Sequence, residues 1–207
     1  MVKIDLTKTH KQYFSAKATP EIVVFEQANY ISIRGKGDPS RKEFSFNVEA
    51  LFPVAYALKF DFKSKMKDFA VAKLEGLWWY DEKKYTHNTM VNASYEIPRS
   101  EWEYRLLIMM PDFVKEEDFL KAREITFKKK KSELIHRVEF YPMIEGKCVQ
   151  MLHVGPYSTE PETLRRMAEF IQENKLQRNG VHHEIYLSDF RKTPSEKLKT
   201  VLREPVR

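Results

Sequence analysis

The stretch His182-His183-Glu184-Ile185-Tyr186-Leu187-Ser188-Asp189 alternates like a strand and carries a carboxylate in its middle. With Ile185 and Leu187 turned into a core, period-two geometry sends Glu184 and Tyr186 together to the opposite face. A carboxylate that faces water is ordinary; one that faces an apolar pocket becomes a base or an attractor of cations. Other chemistry is excluded by spacing. His182-x-Glu184 matches the H-x-E of zinc deaminases, but that signature needs a following P-C-x-x-C, and Cys148 is the only cysteine. No metal site is expected. Cys148 and His153 stand five residues apart on one predicted strand, hence on opposite faces, so they form no nucleophile and base. A buried structural cysteine and a hydrogen-bonded strand histidine are expected, with His153 bordering any groove. Gly35-Lys36-Gly37 has neither the length nor the Ser/Thr of a phosphate-binding loop and reads as a turn.

Three Trp, ten Tyr and fourteen Phe exceed what a core of this size needs, so some are expected to line a ligand site. Trp78 and Trp79 are adjacent on a predicted strand, so one faces a helix and the other a groove. Placing Glu75 and Leu77 on the face equivalent to that of Glu184 selects Trp79 as the groove residue. Trp102, Tyr104, Tyr141, Tyr157 and Tyr186 are further candidates.

A chain of 207 residues with 42% hydrophobic content can bury a core as one domain. The net charge of +6 arises from 36 basic against 30 acidic residues, and the densest run, Lys128 to Lys131, reads as a solvated helix end favoured by the macrodipole. No helix-turn-helix, zinc-finger or RNP pattern is present, and no direct nucleic-acid binding is expected. No apolar run is long enough to span a bilayer, and MVKIDLTKTHKQYF lacks the apolar centre and cleavage site of a signal peptide. A cytoplasmic location without membrane contact is expected, in keeping with the single cysteine.

The elements that must position these residues come in a repeated order. After a polar arm ending near Pro20, IVVFEQANYISIRG reads as a strand stopped at Gly35-Lys36-Gly37-Asp38-Pro39. Phe46, Ala50, Val54 and Leu58 form a helical stripe that Pro53 kinks without ending. FAVAKLEGLWWY reads as a strand, followed by a polar Asn/Thr/Ser loop, and EWEYRLLIMM as another. A connecting helix over about 115–132 has Phe119, Ala122 and Ile125 on one side. KCVQMLHV is then a strand stopped by Gly155-Pro156. Thr159 and Glu162 form a capping box for a helix with Leu164, Met167, Ala168 and Ile171 on its apolar face. HHEIYLSD and KLKTVLREPV are the last strands. This duplication predicts an α+β fold of tandem strand-helix-strand-strand modules, over about 22–114 and 147–206, within a single domain spanning 1–207. The modules would pair edge to edge, leaving a shared open face and a pseudo-two-fold ligand groove.

The segments YISIRGKGDP, EGLWW, IMMPDFV, EGKCVQMLHVGPY and HHEIYLSDFRKTPSEKLKTVLREPV resemble the GyrI-like small-molecule-binding proteins over nearly the whole chain. The resemblance implies a groove for flat, hydrophobic and often cationic xenobiotics, with a buried glutamate matching Glu184. LEGLWW and HEIYLSD together are similar to a standalone subgroup implied to hydrolyse cyclopropane-bearing DNA-alkylating antibiotics of the yatakemycin and duocarmycin type. That implies a cofactor-independent hydrolase giving cellular protection. Glu184 would take the proton from water, Tyr157 would hydrogen-bond the developing phenolate or hold the water, and Trp79, Trp102, Tyr141, His153 and Tyr186 would hold the ligand. No metal or organic cofactor is implied. A non-catalytic drug-sequestering or effector-sensing protein is the alternative, and interaction with gyrase the least expected partner.

Overall fold

The β-branched run that begins at Glu21 forms one 16-residue strand, β1 (Glu21–Lys36), in the computed structural model, which describes residues 3–86 and 89–207. Before it, a short helix α1 (Leu6–Thr9) is capped by Asp5, whose carboxylate accepts from the Thr7 N–H. Helix α2 (Lys42–Ser64) continues through Pro53. The lost donor is outweighed by an apolar stripe, Ala50, Leu51, Val54, Ala55 and Leu58, buried on both sides of the proline. Asn47 rather than Phe46 begins that stripe, and Phe46 is exposed. Strands β2 (Leu74–Trp79) and β3 (Glu103–Met110) follow, then α4 (Glu116–Lys130), β4 (Glu139–Val154), α5 (Glu160–Glu173), β5 (His182–Tyr186) and β6 (Lys199–Pro205).

Local differences from the sequence expectations have local causes. The polar stretch after Tyr80, expected as loop, contains helix α3 (Met90–Glu96), started where the Thr89 N–H donates to Asn92 Oδ1 at 2.7 Å. His87 and Asn88 of that loop lie outside the described residues. In α4 the buried side chains are Phe119, Ala122 and Thr126, while Ile125 is half exposed. Thr126 tolerates burial because its hydroxyl donates to the Ala122 carbonyl at 2.7 Å. Thr159 does not form the expected capping box; its hydroxyl donates to the Pro156 carbonyl at 2.8 Å, closing the 3-10 turn Tyr157–Thr159 ahead of α5.

The six strands found among the described residues are antiparallel and ordered β1-β3-β2-β5-β6-β4, with β4 returning to β1 to close a barrel. The halves β1-α2-β2-β3 and β4-α5-β5-β6 repeat one order, and their strands meet in mirror sequence across β2 and β5, as a two-fold axis between those strands requires. The class is the α+β fold expected from the duplication. Edge pairing occurs at both seams, β2 with β5 and β1 with β4, so a closed ring stands where a shared open face was expected. The length of β1 explains this: it pairs β4 through Glu21–Ser32 and β3 through Asn29–Lys36, serving both neighbours at once.

Helix α2 packs on β1 and β3 over the main apolar core, and α5 packs on β4 over a second core of Val149, Met151, Leu164, Met167, Leu202 and Val206. Each fully buried aliphatic side chain contributes roughly 1.5 to 3 kcal/mol. The barrel interior holds a buried polar network beside apolar side chains. Arg203, fully buried, donates to Glu145 Oε2 at 2.7 Å, to Gln150 Oε1 at 2.9 Å and to the Tyr13 carbonyl at 2.7 Å. His183 bridges Glu145 Oε1 at 2.6 Å and Glu75 Oε2 at 3.0 Å, and the Tyr13 hydroxyl donates to the same Glu75 oxygen at 2.5 Å. Burial alone would raise the Glu145 pKa; the charges of His183 and Arg203 instead hold it near about 2. The N-terminal arm is thereby anchored inside the barrel by residues of β6 and β2.

Candidate functional site

The β2–β5 seam is also the floor of a groove on the barrel's outer surface. Strand register decides which residues face it. Gly76 lies opposite Glu184 and Trp78 opposite His182, and cross-strand partners share a face. Leu74, Trp78, His182, Glu184 and Tyr186 therefore point outward between α2 and α5, while Glu75, Leu77, His183 and Ile185 point into the barrel. The cavity occupies about 1740 Å³; Phe44 and Phe52 of α2 line one side, Tyr157, Glu160, Pro161 and Leu164 the other.

Glu184 sits at the centre of a hydrogen-bonded floor. The Tyr186 hydroxyl donates to its Oε2 at 2.7 Å and itself accepts the Trp78 indole N–H at 3.0 Å. Phe44 stacks on Trp78 with ring centroids 6.0 Å apart and planes 14° from parallel. On the other side His182 Nε2 lies 3.4 Å from Glu184 Oε1, and His182 Nδ1 lies 2.7 Å from Glu204 Oε1 of β6. Burial alone would drive the His182 proton off, but the Glu204 carboxylate overrides it and Glu184 adds to the effect, so the imidazole pKa rises to about 10. Arg178 Nε donates to Glu204 Oε2 at 3.0 Å, and Glu204 is held below the ordinary carboxylate range despite its burial, first by His182 and then by Arg178.

A second carboxyl faces the same groove. Glu160, in the first turn of α5, is buried, and its Oε1 has no hydrogen-bond partner. Burial, then the nearby Glu184 charge, push its pKa well above the ordinary value against the opposing pull of His182. The raised pKa favours the protonated form of Glu160, which can donate into the groove. The Tyr157 phenol, pushed up to about 12 first by partial burial and then by the Glu184 charge, also remains a donor. Its ring meets Tyr186 edge-on at 6.1 Å.

Glu184, Tyr157, Trp102 and Tyr186 of the sequence candidates line this groove. Trp79, Tyr141 and His153 are not among its lining residues. Trp79 follows Trp78 on β2 and takes the other face, because the register makes Gly76, not Glu75, the cross-strand partner of Glu184. Tyr141 is covered by the Arg105 guanidinium, 4.1 Å from its ring centre. His153 is buried, its Nδ1 2.9 Å from Thr163 Oγ1 and its Nε2 3.2 Å from the Pro156 carbonyl, tying β4 to the start of α5. Tyr104 is buried and accepts from Asn47 Nδ2 at 2.9 Å. Cys148 is buried with its thiol pKa pushed up, an inert side chain. Sequence reasoning missed Glu160, which looks like any first-turn helix acid, and Trp78. His182 was discarded as a zinc ligand, although its two-residue spacing from Glu184 already put both on one face.

Residues 18–207 match the GyrI-like small molecule binding domain. The chain belongs to this GyrI-like family. A hydrolase from Listeria innocua is similar at 37% identity, covering 99% of this GyrI-like chain and 100% of its own, with a TM-score of 0.84. An uncharacterized conserved protein from the same organism is 37% identical over 99% of this chain and 100% of its own, with a TM-score of 0.87. The C-terminal domain of EcmrR shares the fold at 13% identity, over 91% of this chain and 97% of its own, with a TM-score of 0.58. No curated protein sequence matches the chain. None of the helices among the described residues is long and apolar enough to cross a membrane.

Proposed function

We propose that this GyrI-like chain binds flat, hydrophobic xenobiotics in the groove and hydrolyses the cyclopropane ring of DNA-alkylating antibiotics of the yatakemycin and duocarmycin type. The observation that carries this reading is the pair of carboxyls facing one aromatic-walled groove, Glu184 fed by a hydrogen-bond donor and Glu160 pushed by burial toward its protonated form. Two carboxyls set apart in this way supply a base and an acid at one pH. The similarity to a hydrolase over the full length adds weight. A groove of about 1740 Å³ exceeds the roughly 300 to 1,000 Å³ of an ordinary small-ligand pocket and suits a ligand of several fused or linked rings.

The chemistry asks little of the protein because the three-membered ring supplies its own strain. Water oxygen bonds to the unsubstituted ring carbon as the bond from that carbon to the dienone ring breaks. The electron pair moves through the ring to the distant carbonyl oxygen, which becomes a phenol oxygen. Glu184 takes the proton lost by water; Glu160 or Tyr157 hydrogen-bonds or protonates the developing phenolate, and the proton on Glu184 returns to Glu160 or solvent. The product is the substrate plus one water. Trp78, Phe44 and Trp102 would stack on the planar drug and fix its orientation.

Sequestration without turnover needs the same walls. A pure cation trap is less well supported, because the His182 imidazolium beside Glu184 offsets the carboxylate charge and favours a neutral planar ligand. Incubation with a duocarmycin-type alkylator followed by mass spectrometry decides between the two readings. A product heavier by one water, formed catalytically, is expected; tight binding with the drug recovered intact would overturn hydrolysis in favour of sequestration.

A further inference from the structure

Behind the floor of the groove lies a chain of charges that the hydrolytic step does not use directly. It runs from Arg178 through Glu204 and His182 to Glu184, with contacts of 3.0, 2.7 and 3.4 Å. Glu204 and His182 have side chains only 4% and 2% exposed, so neither is screened by solvent. We propose that Glu204 is a positioning residue of the site, acting through His182: it keeps the imidazole doubly protonated and turned so that Nε2 presents a positive charge to Glu184 Oε1. The proposal rests on the groove being the reactive site, as argued above.

The geometry leaves His182 few alternatives. Glu204 faces it from β6, Glu184 from its own strand and Glu160 from α5, while β2 contributes the indole of Trp78 as cross-strand partner. With the Nδ1 proton held by Glu204, the second nitrogen can give the Glu184 carboxylate an N–H only if it is protonated as well, which makes the ring an imidazolium. The consequence is an asymmetry between two carboxyls that would otherwise compete for one proton. Glu184 has a cation against it, whereas Glu160 has a buried oxygen without a partner, which favours its protonated form. Glu204, which does not line the groove, thus determines which carboxyl serves as base and which as acid.

The test compares wild type with Glu204→Gln, using nitrogen-15 NMR of the histidine side chains, with His182 assigned through His182→Gln. In the wild type, His182 is expected to stay doubly protonated from pH 6 to 9. In Glu204→Gln its titration is expected to move down by about 1 to 3 pH units, the effect of one close opposite charge. Turnover of a duocarmycin-type alkylator by Glu204→Gln should approach the wild-type rate at pH 6 and fall below it by up to about tenfold at pH 8, as the protonated fraction of His182 falls. His182→Gln should be slow at both, and Glu204→Asp should restore the wild-type pH profile. A wild-type His182 that titrates near neutrality overturns the proposal without any variant. So does an unmoved titration in Glu204→Gln, or a loss of rate equal at pH 6 and 8, which marks a merely structural role. If the wild type proves to bind without turnover, the hydrolytic reading fails alone, because the His182 titration still reports on Glu204.

Discussion

Glu160 and Glu184 are chemically identical side chains about a groove that treats them differently. Replacing Glu184 by Gln keeps shape and hydrogen bonding but removes the base, so hydrolysis is expected to slow about 10²- to 10⁴-fold with ligand affinity retained, read by single-turnover kinetics beside equilibrium binding. In the proposed reaction Glu160 acts in its neutral form, and its pKa is raised. Turnover should therefore fall as pH climbs through that raised value, and Glu160→Gln, which cannot ionise, should remove that alkaline limb from the pH–rate profile. His182 makes a separate mark on stability. Its folded pKa of about 10 lies above the unfolded 6.5, so its contribution is fully present below pH 6.5 and is lost as pH rises through about 10. Urea unfolding should show stability falling across that window by up to about 1.4 kcal/mol per pH unit, a slope that His182→Gln should flatten. At this scale alternation alone made Glu184 and Tyr186 legible. The role of Glu160 was not, because burial at a helix start leaves no trace in residue type.

The elements explain why adjacent tryptophans have different fates. Register along the β2–β5 seam, a relation between residues 108 apart, puts Trp78 on the floor; no pattern inside LEGLWW contains it. Gly76 is the element's concession to that floor. A β-carbon there would lie 2.7 Å from Trp78 Nε1 and 2.9 Å from the Tyr186 hydroxyl oxygen. Gly76→Ala is thus expected to push these two side chains apart, break their hydrogen bond and weaken planar-ligand binding, at a stability cost of roughly 1 to 3 kcal/mol. Titration of a planar aromatic ligand and thermal melting check the two parts; unchanged affinity would show that the floor does not contact the ligand. Helix α2 and strands β2, β3, β5 and β6 were readable from periodicity and turn residues. The start of β4 was not, because Glu139–Gly146 is pulled into the sheet by pairing with β1 rather than by its own alternation.

For the whole molecule, the duplicated order was visible in the sequence, whereas closure of the ring depended on how far two long strands reach. The closed barrel then needs a filling, and the arm supplies it. Tyr13→Phe removes a donor from Glu75, a buried carboxylate with one oxygen already unpartnered, and should cost about 1 to 3 kcal/mol in denaturant unfolding while the groove still binds ligand. Loss of ligand binding in a folded Tyr13→Phe variant would instead reveal coupling between the barrel interior and the groove. The Arg203 guanidinium reaches the Tyr13 carbonyl across 190 positions of sequence. During synthesis on the ribosome the arm therefore waits, its binding place unmade, until β6 has left the exit tunnel. Contacts between such distant positions are slow to form, so the barrel should close late in folding.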